Sequence, residues 1–88
     1  MGYDVQYAEH VMKILRKMDP YHSKIIVSWI DKNLIGCDNP RRYGAPLTAN
    51  MKGLWRYRIG SYRVIADIHD DIITIEIVDA GHRREIYD

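Results

Sequence analysis

The chain has 88 residues, of which 47% are hydrophobic, and its 13 lysines and arginines nearly balance 12 aspartates and glutamates. This length and composition predict one globular domain over residues 1–88 and exclude a disordered tail or a second core. A formal net charge of only +1 does not by itself indicate a nucleic-acid partner. A single cysteine excludes an internal disulfide, and no apolar run approaches the roughly 20 residues that cross a bilayer, so we expect a cytoplasmic protein.

The first third of the chain predicts one strand and two helices. Tyr3, Val5 and Tyr7 alternate with polar residues, as in a strand with one buried face. Two amphipathic helices follow, and their apolar stripes are Val11, Ile14, Leu15 and Met18 in the first and Ile25, Ile26, Trp29, Ile30 and Leu34 in the second. Asp19 and Pro20 suit the cap and first position of the second helix, and Gly36 is placed to end it.

The remainder of the chain predicts a three-stranded meander. Residues 37 to 53 form a long connection punctuated by proline and glycine. Two strand-like runs then flank Gly60-Ser61, which favours a two-residue hairpin turn, and His69 to Ile72 suggest a second tight turn. Pairing across that turn places Ile73, Ile75 and Ile77 on the apolar face, and Thr74, Glu76 and Val78 on the other face. We therefore predict an α+β fold with both helices on one face of the sheet and a polar, open, arginine-bearing face opposite.

The hairpin carries the main functional signal. With a two-residue turn, Arg58 pairs with Arg63, and Arg56 lies on the same face, while the core side takes Trp55, Tyr57, Ile59, Tyr62 and Val64. Like charges directly opposite each other destabilise a sheet, and no acid occurs from Asn39 to Ala66. Convergent guanidinium groups fit an anion, and their fork geometry suits phosphate. The alternative is a solvated outer sheet face.

The C-terminal segment Gly81-His82-Arg83-Arg84-Glu85-Ile86-Tyr87-Asp88 is a second concentration of functional side chains. It either completes a site on the polar face or is a charged terminus with a packed tyrosine. The four histidines are scattered and lack metal-ligand spacing, the acids do not cluster near the arginines, and no phosphate-binding loop occurs. We therefore predict no metal site and no cofactor, and we expect Trp29 and Trp55 to belong to the core.

The segment 53–65, together with 81–87 and the loop 38–44, closely resembles the RelE branch of the RelE/ParE toxin superfamily. The order of predicted elements matches as well. The resemblance implies the toxin half of a type II toxin–antitoxin pair with a RelB-like antitoxin as partner. It also implies an enzyme that enters the ribosomal A site and cuts messenger RNA without a metal.

The family's functional pattern falls on basic residues of the hairpin and on the C-terminal segment. The resemblance implies functional roles for Arg56, Arg58, Arg63, Arg83 and Tyr87. We expect Arg56, Arg63, Arg83 and Tyr87 to be catalytic, and the remaining basic residues to contact RNA, namely Arg41, Arg42, Lys52, Arg58 and Arg84. The strand positions are arginine here, whereas the best-known members carry lysine, and arginine cannot act as a general base near neutral pH. A ParE-like toxin that poisons DNA gyrase and a non-catalytic antitoxin-binding module are the alternatives.

Overall fold

The computed structural model describes residues 2–82, and these form two helices packed on a five-stranded mixed sheet. In chain order the elements are β1 (Asp4–Tyr7), α1 (Glu9–Lys17), α2 (Pro20–Asn33), β2 (Ala45–Pro46), β3 (Trp55–Ile59), β4 (Tyr62–His69) and β5 (Thr74–His82). The α+β class and the placement of both helices on one face of the sheet are confirmed. Across residues 2–82, no helix is long and apolar enough to span a membrane.

The boundaries of α2 follow the signals in the sequence. Asp19 caps the helix by accepting a hydrogen bond from the Tyr21 backbone N–H at 2.9 Å, and Pro20 occupies the first turn. Proline is tolerated there because that backbone position has no partner inside the helix. After the helix, Gly36 adopts a φ of +77°, and its N–H donates to the Tyr3 carbonyl. This bond ties the end of α2 to the residue that precedes β1.

The sheet has the strand order β1-β5-β4-β3-β2. Strand β1 pairs in parallel with β5, with Val5 opposite Ile75, and the other neighbours are antiparallel. This order places β4 at the centre of the sheet, with β3 and β5 on either side. Arg63 and Arg56 are therefore paired on both sides, whereas Arg58 lies beyond the short β2 and is paired with β4 alone.

The core lies between the helices and the sheet. Its buried members are Val11, Ile26, Ile30, Leu34, Tyr57, Ile59, Val64, Ala66, Ile75, Ile77 and Ala80. Trp29 and Trp55 pack partly buried against this cluster, which confirms that both tryptophans belong to the core. Every second residue of β3 and β4 faces the helices, so the residues between them face the opposite side of the sheet.

The long connection is more structured than the sequence predicted. It contains the two-residue strand β2 and short 3-10 turns at Pro40–Arg42 and Ala49–Met51. Gly44 has a φ of +78°, and a Cβ at this position would collide with the Arg56 carbonyl oxygen. A glycine is therefore needed where the loop approaches β3. The prediction of an irregular connection over 37–53 missed this edge strand.

The turn between β4 and β5 also differs from the prediction. Residues Asp70–Ile72 form a 3-10 turn, and Ile73 ends it in the left-handed region with a φ of +50°. Ile73 is therefore a turn residue and not a member of the apolar sheet face. Ile75 and Ile77 do lie opposite Ile68 and Ala66, as the predicted register requires. Beyond them a bulge in the pairing leaves Val78 without a cross-strand partner, and Asp79 lies opposite Ile65.

Candidate nucleic-acid interface

The hairpin of β3 and β4 places three arginines on the sheet face that points away from the helices. Arg58 pairs directly with Arg63, and Arg56 pairs with Ile65, as predicted from the two-residue turn. Gly60 has a φ of +60°, the left-handed conformation that a primed hairpin turn needs at its first central position. The turn chemistry therefore fixes the register, and the register fixes which guanidinium groups share a face.

The centre of this face is not open, which corrects the prediction of an exposed polar surface. Arg63 is only 5% exposed and Ile65 is fully buried, whereas Arg58 is exposed and Arg56 is half-buried. A buried arginine on a central strand has little rotamer freedom left to lose when it binds a ligand. Burial also places its charge in a less polar environment, where each interaction with an anion is stronger than in water.

Two hydrogen bonds anchor the preceding loop to β3. The buried Tyr57 hydroxyl donates to the Pro40 carbonyl at 2.6 Å, and the Trp55 indole N–H donates to the Tyr43 carbonyl at 2.6 Å. Burial raises the pKa of the Tyr57 hydroxyl well above its usual value, so it remains a donor at physiological pH. The aromatic residues of β3 therefore position the loop that carries Arg41 and Arg42.

Arg41 does not join the hairpin arginines. Its guanidinium makes two hydrogen bonds to the Asp70 carboxylate, at 3.1 and 2.9 Å, and Tyr3 donates a third bond to the same carboxylate at 2.7 Å. The Arg41 hydrogen bonds, followed by the one from Tyr3, lower the pKa of Asp70. Asp70 directly follows β4 and is seven residues from Arg63. Seven residues of extended chain span about 23 Å. Arg41 therefore lies at the opposite end of the sheet.

The other predicted RNA-contacting residues are in separate places. Arg42 is exposed and lines a polar surface pocket with Cys37 and Lys32, and Lys52 is exposed beyond the second 3-10 turn. Arg83, Arg84 and Tyr87 lie outside the described residues. Strand β5 ends with His82 opposite Tyr62 and Gly81 opposite Arg63. The described part of the chain thus ends at His82, next to the hairpin end that carries Arg58 and Arg63.

A second group of charged residues lies on the arginine face, and of its members only Glu76 was predicted to be there. Asp67 and His69 alternate with the core residues of β4, and Glu76 lies directly opposite Asp67 on β5. The His69 Nε2 atom is 3.5 Å from the Asp67 carboxylate and 3.4 Å from the Glu76 carboxylate. The Asp-x-His spacing on a predicted strand, combined with the β4–β5 register, was the signal that could have found them.

The basic end of this face, which we define as Arg56, Arg58 and Arg63, can hold a phosphate through forked hydrogen bonds. Arginine donates five N–H groups in a fixed plane and remains charged at any physiological pH, but it has no lone pair with which to accept a proton. The basic end can therefore bind and align a phosphate and stabilise negative charge on it. Proton abstraction needs another group.

Comparison with known proteins identifies the family. Residues 5–87 match the family model described as the ParE toxin of type II toxin–antitoxin systems. The chain belongs to this toxin family. The toxin RelG of Mycobacterium tuberculosis is 30% identical to it over 87 residues, which cover 99% of this chain and 98% of RelG. This protein is therefore a type II toxin of the RelE/ParE group, as the resemblance implied.

Solved structures agree with this assignment. The structure of the toxin–antitoxin complex RelBE2 from Mycobacterium tuberculosis includes a chain that matches with a TM-score of 0.84 and 27% identity, covering 97% of this chain and 95% of that one. The archaeal RelE–RelB complex from Pyrococcus horikoshii matches with a TM-score of 0.71 and 26% identity, covering 97% and 99%. Both matches extend over nearly the whole toxin fold.

Proposed function

We propose that this toxin is a ribosome-dependent endoribonuclease that cuts messenger RNA in the A site and so inhibits translation. The observation that carries the proposal is the position of Arg63, which is buried on the central strand and directly opposite Arg58. The similarity to toxins named RelG and RelE supports it. The proposed catalytic residues are Arg56, Arg63, Arg83 and Tyr87.

The proposed reaction uses the RNA's own 2′-hydroxyl as nucleophile. Its oxygen forms a bond to the adjacent phosphorus while the bond to the 5′-oxygen of the next nucleotide breaks. The 2′-hydroxyl proton passes to a water molecule or a ribosomal group, and a proton is delivered to the departing oxygen, giving a 2′,3′-cyclic phosphate and a free 5′-hydroxyl. The enzyme must align the attacking and leaving oxygens and stabilise the extra negative charge between them.

The hairpin arginines suit that task because they are held on paired strands. Arg63 and Arg56 would clamp the scissile phosphate, and Arg83 would stabilise the developing charge or assist the leaving 5′-oxygen. Tyr87 would stack on a base or orient the 2′-hydroxyl. None of these arginines can serve as the general base, so catalysis depends mainly on positioning and charge, with the ribosome supplying part of the site.

The proposed RNA contacts divide into two groups by location. Arg58 lies beside Arg63 and would hold a phosphate next to the scissile one. Arg42 and Lys52 are exposed on the loop, and with Arg84 they would contact messenger or ribosomal RNA as diffuse charge. Arg41 is the weakest member of the proposed set because Asp70 already binds its guanidinium.

A RelB-like antitoxin is the proposed partner. Several structural neighbours are toxins solved in complex with an antitoxin, including the two RelE–RelB type complexes described above. We propose that the antitoxin neutralises the toxin by covering the basic end with acidic side chains or by displacing the C-terminal segment around Tyr87. Loss of access to Arg63 would then account for neutralisation.

Primer extension on translating ribosomes tests the proposed reaction. The purified toxin should produce cuts phased with the codon in the A site, and the same messenger without ribosomes should remain intact. An Arg63→Ala variant should give much weaker cuts, whereas Arg42→Ala should retain the pattern. If translating ribosomes yield no codon-phased cuts at any toxin concentration that arrests growth, the proposed function is wrong.

A gyrase-poisoning toxin is the second candidate, and the description of the matching family model as ParE favours it. The two candidates make opposite predictions in two assays. A gyrase poison would cause gyrase-dependent breaks in DNA and leave messenger RNA uncut. A ribonuclease would cut messenger RNA and leave supercoiling by gyrase unchanged.

A further inference from the structure

Asp67, His69 and Glu76 form a compact group on the arginine face, at the opposite end from the hairpin turn. We call these three residues the acidic end. Asp67 and His69 are two residues apart on β4, and Glu76 lies on β5 directly opposite Asp67 and diagonal to His69. Glu76 is paired on both sides, with β4 and with β1, whereas Asp67 and His69 are paired with β5 alone, because β3 pairs with β4 only as far as Ala66. The backbone positions of all three residues are therefore fixed by sheet pairing.

The distances within this group match those between ligands of one metal ion. The His69 Nε2 atom lies 3.4 Å from a Glu76 oxygen and 3.5 Å from an Asp67 oxygen. One ligand atom from each residue lies within 4.8 Å of the other two. Zinc binds imidazole nitrogen and carboxylate oxygen at about 2.0–2.2 Å, and tetrahedral angles then place two ligand atoms roughly 3.3–3.6 Å apart.

The negative charges of the acidic end also favour binding of a cation. Two carboxylates lie directly opposite each other across the strands, an arrangement that destabilises a sheet. Within residues 2–82, the ion pairs made by Asp67 and Glu76 are those with His69, which is charged only when protonated. The three side chains remain 36–42% exposed, so an ion can reach them from solvent.

We propose that Asp67, His69 and Glu76 bind one divalent transition-metal ion of the zinc class, with water completing the coordination. An imidazole ligand favours zinc, nickel or cobalt over magnesium or calcium, which prefer oxygen ligands throughout. Three protein ligands and an open position are the usual arrangement of an accessible zinc site. The strands hold the three ligands in place before the ion arrives.

The ion would not take part in RNA cleavage at the basic end. Asp67 is four residues from Arg63 on β4, which corresponds to about 13 Å along the strand. A bound cation would instead neutralise the two carboxylates and remove their repulsion of an RNA backbone on the same face. Metal binding and the proposed cleavage are thus separate properties, and either can fail without the other.

The test is isothermal titration of Zn²⁺ into the full 88-residue chain, free of any affinity tag, in a buffer that does not chelate metals. The wild-type chain should bind one ion, and His69→Ala and Glu76→Gln should each weaken binding by at least about tenfold. His10→Ala is the matched control, because His10 lies 3.8 Å from the single carboxylate of Asp79 and should not bind an ion tightly. This variant should bind as the wild type does.

Cobalt substitution gives an independent readout of the ligands. Co²⁺ bound by the wild type should show visible absorption bands, and both His69→Ala and Asp67→Asn should remove or shift them. Thermal melts without metal establish that each variant is folded, and excess Zn²⁺ should raise the melting temperature of the wild type but not of His69→Ala. No binding by the folded wild type, or equal binding by His69→Ala and wild type, would overturn the proposal and leave these residues as an ion-paired group.

Discussion

One face of the sheet carries two cross-strand pairs of like charge, and their signs are opposite. At the basic end Arg58 faces Arg63, and at the acidic end Asp67 faces Glu76. Each pair opposes sheet formation unless an oppositely charged group relieves it. The forked arginine donors of the basic end suit a phosphate, and the carboxylates and imidazole of the acidic end suit a cation.

The two ends differ in burial, and this difference separates their proposed roles. Arg63 is 5% exposed, whereas the side chains of Asp67 and Glu76 are about 40% exposed. Burial strengthens the interaction of Arg63 with a phosphate and restricts its geometry, as transition-state stabilisation requires. The exposed carboxylates are screened by water and salt, which suits reversible binding of a small ion better than catalysis.

Arg41 shows why charge alone does not define the site. It is one of two adjacent arginines in the loop, but its guanidinium binds Asp70 near the acidic end and lies 6.0 Å from the centre of the Trp55 ring. The interaction clamps the loop to the end of β4. Counting arginines in the sequence predicts an RNA contact for Arg41, whereas its ion pair with Asp70 indicates a structural role.

A large effect is expected for Arg83→Ala. If Arg83 stabilises charge in the transition state, its loss should lower single-turnover cleavage on saturated ribosomes by about 10²–10³-fold. Arg84→Ala is the control, since a residue that only contacts flanking RNA should lose binding rather than rate at saturation. Cleavage by Arg83→Ala at the wild-type rate would remove Arg83 from the proposed catalytic residues.

A smaller effect is expected for Arg58→Ala, measured as the salt dependence of RNA binding. Each lost phosphate contact should reduce the slope of log affinity against log salt by about 0.7 for single-stranded RNA. Asp67→Asn removes a carboxylate instead and should not reduce the slope. An unchanged slope in Arg58→Ala would show that Arg58 does not contact phosphate.

The smallest effect concerns the Arg41–Asp70 clamp and is lost in acid. Hydrogen bonds from Arg41 and Tyr3 lower the folded-state pKa of Asp70, so the clamp stabilises the fold above the usual aspartate pKa of about 4. That stabilisation should disappear as the pH falls through the lowered pKa. Melting temperatures of wild type and Asp70→Asn should therefore differ near neutral pH and converge in acid.

Asp71→Asn is the control for this measurement, because Asp71 is an exposed carboxylate on the same turn. Its melting curve should follow the wild type throughout. A constant difference between wild type and Asp70→Asn at every pH would mean that the carboxylate charge of Asp70 does not contribute.

The sequence was sufficient to predict the hairpin and the packing of the helices. Gly60-Ser61 leaves only two residues between alternating strands, so the pairing of Arg58 with Arg63 followed directly. The Asp19-Pro20 start of α2 was predicted equally well, because local capping chemistry determines it. These features depend on interactions between residues that are close in the chain.

Features that depend on distant contacts were not predicted. Strand β2 has two residues, one of them proline, so no alternation of polar and apolar residues could identify it. Its position depends on Gly44 and on the hydrogen bonds that the Trp55 and Tyr57 side chains donate to the loop. The burial of Arg63 and the meeting of Asp67, His69 and Glu76 both require the assembled sheet. The left-handed Ile73 is a conformation that a β-branched residue rarely adopts, so its sequence favoured a strand instead.

The most direct test of the account is single-turnover cleavage of A-site messenger RNA by Arg63→Ala and Asp67→Asn at saturating toxin. Loss of Arg63 should lower the rate by about 10²–10³-fold, because its contact is required in the transition state. Asp67→Asn and the loop variant Arg42→Ala should remain within about twofold of wild type. Melting curves confirm that the variants are folded. Equal losses in Arg63→Ala and Asp67→Asn, or wild-type cleavage by Arg63→Ala, would contradict the assignment of catalysis to the basic end.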